Sequence, residues 1–180
     1  MTDPSLQDRV SAILRSGTPE STTLDYKVEN YPPTEGGRKE CAKDISAFAN
    51  RDGGLLIIGV REASGVPTEI VGVPSEAIDS SILWLESVAR SGINPHVLGL
   101  RINAVSYSEK HLIIADVPSG SDRPYEVPTA GARFFVRESR GRAQDSRLAS
   151  LRRVNTRLMD GPGQANHDLT VPFISPRGTA

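Results

Sequence analysis

Apolar residues recur along the chain at spacings that are typical of both helices and strands. A first helix is predicted over 4–16, because an aspartate and a proline stand at the start of its amphipathic run. Further helices are predicted over 38–50 and 75–89, each with one apolar face, and a final helix over 146–159. The pattern therefore predicts three to four helices.

The strands are predicted by shorter apolar runs. LLIIGV, at 55–60, is apolar throughout, which is typical of a central strand buried on both faces. The remaining strands are predicted near 22–29, 68–73, 97–106, 111–117 and 133–138. Together these elements predict an α+β fold, with a central mixed β-sheet flanked by the helices.

The strand that contains LDYKV has charged side chains on one face. Leu24, Tyr26 and Val28 alternate with Asp25 and Lys27, so the apolar set is expected to face a core and the charged set the opposite side. On these residues alone, an edge strand that keeps its charges in solvent is the simpler interpretation. A charged functional face is the alternative.

Length and composition are typical of a globular domain. The chain has 180 residues, of which 37% are hydrophobic and 24% charged. We expect one domain over 1–160 and a disordered tail or linker over 161–180, where periodicity is lost. The longest apolar run is too short to span a membrane, and the N-terminal residues lack the pattern of a signal peptide. No membrane partner and a cytoplasmic location are therefore expected.

Several residue types argue against other sites. The single cysteine, Cys41, lies among apolar residues at helical spacing and is predicted to be a core residue. Without a second cysteine or clustered histidines, a zinc site is not expected. The chain has no G-x-x-x-x-G-K-[ST] loop, so no nucleotide cofactor is expected. On the second helix, Lys43 and Asp44 are predicted to be exposed polar residues, and Trp84 is predicted to be core.

Charge is distributed unevenly along the chain. The formal net charge is -1, yet residues 133–157 contain eight arginines and two acids, a local net charge of 8 - 2 = +6. The remainder then carries -1 - 6 = -7. Clustered arginines favour a surface that binds a polyanion, because the planar guanidinium suits phosphate. A solvated helix and hairpin, balanced by acids elsewhere in the fold, is the alternative.

Three segments occur in a specific order. They are ESTTLDYK on the charged strand, KDISAFANRDGGLLIIGVRE as helix, turn and buried strand, and RPYEVPTAGARFFVRESRGRAQ as an arginine-rich hairpin. This ordered set resembles the Schlafen AlbA_2 domain from about Glu20 to Ala143. The resemblance implies the α+β fold and binding of DNA or RNA. Some Schlafen lobes are metal-dependent endoribonucleases that cut tRNA or rRNA.

The resemblance also implies a site of three carboxylates. The Schlafen nucleases have two acids in a Glu-x-x-x-x-Glu-Phe-Lys strand and a third shortly after the Ile-Gly-Val strand. In this chain the acids fall on Glu20, Asp25 and Glu62, and the lysine on Lys27. Asp25 stands in place of a glutamate, and Glu62 in place of an aspartate. The three acids would ligate Mg²⁺ or Mn²⁺ for phosphodiester cleavage, and Lys27 would stabilise negative charge at phosphorus.

RNA, tRNA in particular, or DNA is the expected partner. The residues predicted to contact nucleic acid are Arg133, Arg137, Arg140, Arg142 and Lys39. Because the Schlafen core pairs two lobes into one basic groove, a single-lobe chain is expected to form a homodimer. Two alternatives stay open: a non-catalytic DNA-binding regulatory module, and an interaction domain whose basic face binds an acidic protein.

Overall fold

The computed structural model describes residues 4–131, 133–138 and 143–146. The helices in these ranges are α1 (Pro4–Ser16), α2 (Glu35–Ala49) and α3 (Ile78–Gly92). The strands are β1 (Leu24–Lys27), β2 (Gly54–Ile58), β3 (Val60–Ala63), β4 (Val66–Ile70), β5 (Arg101–Tyr107), β6 (Lys110–Val117), β7 (Glu126–Val127), β8 (Arg133–Arg137) and β9 (Ala143–Ser146).

A four-stranded mixed sheet lies at the centre of the fold, in the order β1-β2-β6-β5. β1 and β2 are parallel, whereas β2 with β6 and β6 with β5 are antiparallel. Adjacent parallel strands need a long crossover connection, and α2 supplies it between β1 and β2. The predicted α+β fold with a central mixed sheet is thus confirmed.

Strand β2 is buried on both faces, as its continuous apolar sequence predicts. Leu55 and Ile57 pack in a cluster with residues of α1 and β1. Leu56 and Ile58 face the other side and pack with residues of α2 and α3. Each fully buried side chain of this size contributes roughly 1.5–3 kcal/mol to folding. The two clusters therefore fix which face of β1 meets each helix.

Helix α2 begins earlier than its apolar pattern predicts, at Glu35. The side chain of Thr34 caps it by accepting a hydrogen bond from the Gly37 backbone N–H at 3.2 Å. A Cβ at Gly37 would lie 2.0 Å from the carbonyl oxygen of Pro32, so only glycine fits there. Gly36 and Gly37, which precede the helix predicted over 38–50, thus belong to the first turn of α2.

The β3–β4 hairpin directly follows the central sheet. The sequence predicts a polar turn from residue 61, but β3 continues to Ala63 and pairs antiparallel with β4. Gly59, with φ of 104°, changes the direction of the chain between β2 and β3. The hairpin turns at Ser64 and Gly65, which also have positive φ. This turn lies beside the segment that leads into β1, because the Glu20 backbone N–H donates to the Gly65 carbonyl at 2.7 Å.

A separate three-stranded sheet, β7-β8-β9, packs against α2. Asn50, at the end of α2, joins the two. Its side-chain amide donates to the carbonyls of Tyr125 at 2.8 Å and Phe135 at 3.0 Å, and its Oδ1 accepts from the Tyr125 N–H at 2.7 Å. Asn50 is 1% exposed, so these bonds are shielded from water.

Other sequence predictions have mixed outcomes. Cys41 is completely buried, as expected for a core residue, and Trp84 is partly buried against the core. Among the described residues, no helix is long and apolar enough to cross a membrane. Ser146, the first residue of the helix predicted over 146–159, ends β9 instead, and the rest of that helix and the tail predicted over 161–180 lie outside the described residues.

Candidate functional site

Asp25 and Lys27 share one face of β1, as predicted, but that face is covered. Asp25 is only 4% exposed. Its Oδ1 accepts a hydrogen bond from Nη2 of Arg137 at 2.9 Å, and this arginine is itself 1% exposed. The Arg137 guanidinium also lies 4.4 Å from the centre of the Phe48 ring. An edge strand with its charges in solvent is therefore wrong for Asp25, because β8 supplies a buried cation.

Lys27 lies between two carboxylates. Its Nζ is 3.1 Å from Asp44 Oδ2 and 3.5 Å from Asp25 Oδ2. Tyr31 Oη donates a hydrogen bond to the same Asp44 oxygen at 2.8 Å. Burial by itself would lower the pKa of Lys27, but Asp44 and Asp25 outweigh burial and raise it. Lys27 is therefore a fixed positive charge, with about a third of its side chain (33%) still exposed to solvent.

Asp44 is not an exposed polar residue, so that prediction was wrong. It is 4% exposed, and it faces Lys27 and Tyr31 rather than solvent. Burial, followed by the nearby Asp44 charge, raises the pKa of Tyr31 well above its ordinary value and keeps its hydroxyl as a donor. Helical spacing places Asp44 off the apolar stripe of α2, and only the crossover of α2 over β1 explains its burial.

Glu20 approaches this network from the segment before β1. Its Oε1 accepts the Tyr26 backbone N–H at 3.1 Å. The Gly65 backbone N–H donates to Glu62, while the carbonyl of Gly65 accepts the Glu20 N–H. The pKa of Glu20 is raised to about 7, chiefly by burial and additionally by Asp25 and then Glu62, while the Tyr26 N–H offsets only part of this rise. The structure thus brings the three predicted acids into electrostatic contact.

Electrostatic contact is not metal ligation. Among the described residues, no group of three His, Cys, Asp or Glu side chains is arranged to hold a metal ion. Asp25 already has two cations, Arg137 and Lys27, against its carboxylate. Its Oδ2 is buried and accepts no hydrogen bond of normal geometry. The arrangement therefore does not fit a three-carboxylate metal site, and ligation of Mg²⁺ or Mn²⁺ by these residues stays a prediction.

The predicted nucleic-acid contacts are in different environments. Arg133, at the start of β8, and Lys39, on α2, are exposed. Arg137 is buried in its ion pair, so its guanidinium does not face solvent. Arg140 and Arg142 lie outside the described residues. The clustering of the arginines in the sequence predicted one basic surface, whereas the structure buries Arg137 in an ion pair with Asp25.

Sequence reasoning missed two residues that hold the site together, Tyr31 and Asn50. Tyr31 follows a polar stretch and precedes two prolines, a context that predicts a loop residue. The sequence predicts Asn50 as the end of a helix, and the structure agrees. Its side chain, however, also donates hydrogen bonds to backbone carbonyls 75 and 85 residues further along the chain. No local pattern in the sequence could have identified these long-range partners.

Comparison with known proteins places this architecture in a family. The chain is similar to the DIP2311 protein from Corynebacterium diphtheriae, with 19% identity and a TM-score of 0.58 over 82% of this chain and 27% of that protein. The chain thus spans about a quarter of that protein's length, and the similarity supports the fold alone. A second solved structure is the N-terminal domain of a RecG-related DNA helicase protein from Nitrosomonas europaea, with 24% identity and a TM-score of 0.46 over 66% of this chain and 74% of that one.

No curated protein sequence matches the chain. The family model described as "Schlafen, AlbA_2" matches residues 20–144, which include the acidic residues before and after β1, the buried strand β2, and β8 with the first half of β9. This match covers more than half of the chain and agrees with the resemblance found in its motifs. The chain therefore belongs to the Schlafen AlbA_2 family.

Proposed function

We propose that this chain binds nucleic acid through the β8–β9 hairpin and the arginine-rich segment that continues to residue 157. Membership of the Schlafen AlbA_2 family suggests a function related to nucleic acid. The observation that carries the proposal is the charge of 133–157, which is +6 in a chain whose remainder carries -7. Clustered arginines release counterions from a phosphate backbone, which makes binding favourable and dependent on salt.

The buried ion pair reduces this charge by a known amount. Asp25 neutralises Arg137, so seven of the eight arginines remain, against two acids within the segment: 7 - 2 = +5. This charge is still sufficient for several phosphate contacts. Arg133 and Lys39, both exposed, are the contacts we propose among the described residues. Arg140 and Arg142 are proposed contacts on sequence position alone.

The test is binding of labelled single-stranded RNA, tRNA, single-stranded DNA and duplex DNA, measured by fluorescence anisotropy between 50 and 200 mM salt. Arg133→Met is expected to lower the slope of log K against log salt by roughly 0.7–0.9, the value of one phosphate contact. The matched control is Arg90→Met, since Arg90 is an exposed arginine on α3, away from the hairpin in sequence. Absence of binding to every probe at 50 mM salt would refute the proposal.

Endonuclease activity is the second candidate, because the Schlafen resemblance predicts a site at Glu20, Asp25 and Glu62, and the latter two carboxylates raise the pKa of Glu20. It is tested by incubating the same RNA and DNA probes with Mg²⁺, Mn²⁺ or EDTA. Cleavage that requires the ion and disappears in Glu20→Ala and Asp25→Asn would establish it, with tRNA as the first substrate to try. Because Asp25 is engaged by Arg137 and Lys27, the geometry favours the alternative, a non-catalytic module whose binding persists in EDTA.

Two further proposals concern partners. A homodimer would join two lobes into one basic groove, and light scattering under nucleic-acid-binding conditions should then give twice the chain mass. A strict monomer would remove that proposal.

If the basic surface instead binds an acidic protein, affinity for nucleic acid should not increase with the length of the polyanion, in contrast to phosphate binding.

A further inference from the structure

We propose that Arg137 is a positioning residue whose buried ion pair with Asp25 holds the arginine-bearing β8–β9 hairpin in one orientation for nucleic-acid binding. This inference rests on the proposed function, and it assigns Arg137 a role different from that of a phosphate contact. It also assigns Asp25 a role in the binding surface, although Asp25 itself is buried.

The ion pair connects two separate sheets of the fold. Asp25 belongs to the central sheet and Arg137 to the separate β7-β8-β9 sheet, 112 residues further along the chain. The bond from Nη2 to Oδ1, at 2.9 Å, thus ties the small sheet directly to β1. Phe48 of α2 lies under the guanidinium at 4.4 Å and restricts its position from below.

The backbone of β8 is also held close to this side chain. The carbonyl of Phe135 accepts from the Asn50 amide at 3.0 Å, and the carbonyl of Arg137 accepts from the Arg51 guanidinium. Side chain and backbone of Arg137 are therefore both fixed, from β1 and from the end of α2. Arg140 and Arg142 follow within five residues in the sequence, so the described strand that precedes them is held at Arg137.

Breaking the ion pair between Asp25 and Arg137 is energetically costly. Removing one partner of a buried ion pair leaves the other charge uncompensated, which is strongly unfavourable. Among the described residues, Lys27 would be the cation left beside Asp25, and its Nζ is 3.5 Å away and also lies beside Asp44. β8, which would lose its ion pair to β1, is the strand we expect to loosen.

The experiment compares Arg137→Met with Arg133→Met, two arginines on the same strand, one buried and one exposed. Amide hydrogen exchange reports hairpin order, and the salt slope of binding to a single-stranded RNA reports phosphate contacts. Arg137→Met is expected to accelerate amide exchange in β8 at least about tenfold more than in β2, because the buried hydrogen bond to Asp25 is lost locally. It should weaken binding and leave the salt slope unchanged, whereas Arg133→Met should lower the slope and change exchange in β8 less than Arg137→Met does.

Two results would overturn the inference. A lower salt slope in Arg137→Met with normal exchange would mean that Arg137 contacts phosphate itself. Equal acceleration of exchange in β8 and β2 would mean that the residue supports the whole fold rather than the hairpin. If wild-type protein bound no nucleic acid, the proposed function would fail, but the exchange comparison would still test the anchor.

A second pair of variants covers the case in which Arg137→Met does not fold. Arg137→Lys keeps the charge but loses the planar fork, so β8 exchange should lie between that of wild type and of the charge-free variant, with an unchanged salt slope. The double variant Asp25→Asn with Arg137→Met removes both charges, and its fold should be recovered while hairpin exchange stays fast. Wild-type exchange in the double variant would refute the anchor.

Discussion

Asn50 links α2 to the β7-β8-β9 sheet, and its replacement by alanine is the sharpest test of how that sheet is attached. The side chain makes three hydrogen bonds, to the Tyr125 carbonyl, the Phe135 carbonyl and the Tyr125 N–H. Alanine would remove all three bonds from the backbone groups of Tyr125 and Phe135, at a position where Asn50 is 1% exposed. Backbone groups buried in this way carry their full desolvation cost.

The magnitude follows from these bonds. A net loss of about 1 kcal/mol for each bond gives about 3 kcal/mol in the free energy of unfolding. Such a loss is a large fraction of the roughly 5–15 kcal/mol that stabilises a typical domain. Asn50→Asp is expected to be at least as destabilising, because a carboxylate cannot donate to the carbonyls of Tyr125 and Phe135.

Urea unfolding followed by circular dichroism measures the effect, with Asn103→Ala as a control at a partly exposed asparagine of β5. The control should change the free energy of unfolding by less than about 0.5 kcal/mol. Hydrogen exchange should show the largest change for Asn50→Ala in β7 and β8. A loss below about 1 kcal/mol would refute the argument, since at least one of the bonds would then be replaced by water.

Three other predictions concern Glu20, the first turn of α2 and Tyr31. The pKa of Glu20 is raised to about 7 in the folded chain, so the folded state holds a proton that the unfolded state releases above its ordinary value of 4.5. Stability should fall as the pH rises from about 4.5 to 7, and Glu20→Gln should flatten this dependence in thermal melts; an unchanged profile would contradict the assignment. Gly37→Ala should destabilise the chain or prevent folding, because the new Cβ would lie 2.0 Å from the carbonyl oxygen of Pro32. Gly36→Ala should instead stabilise α2 by about 0.5–1 kcal/mol, because the nearest atom to its Cβ is 3.8 Å away. Equal effects of the two variants on the melting temperature would count against this packing. Tyr31→Phe should cost about 1–2 kcal/mol in urea unfolding by removing the buried donor to Asp44, and a neutral effect would show that water replaces the hydroxyl.

The elements of the core could be predicted because their signals are local. The apolar run of β2 and the helical spacing of α1 and α3 depend only on residues a few positions apart. The order of the ESTTLDYK, IGV and arginine-hairpin segments was enough to indicate the family that the match over 20–144 confirms. The start of α2 was less predictable, because glycines ordinarily disfavour a helix. Here the cap at Thr34 and the close approach of Gly37 to Pro32 allow the helix to include them.

The charged site is different, because its partners are far apart in sequence. Period-2 spacing determined that Asp25 and Lys27 share one face of a strand. Only the parallel pairing of β1 with β2, with α2 crossing between them, placed Asp44 over Lys27. Only the docking of β8 on α2 buried Arg137 against Asp25. The local backbone determines the face of a strand on which a charged side chain lies. Whether that charge is exposed or buried depends on which distant element packs over it, and this is determined by tertiary packing.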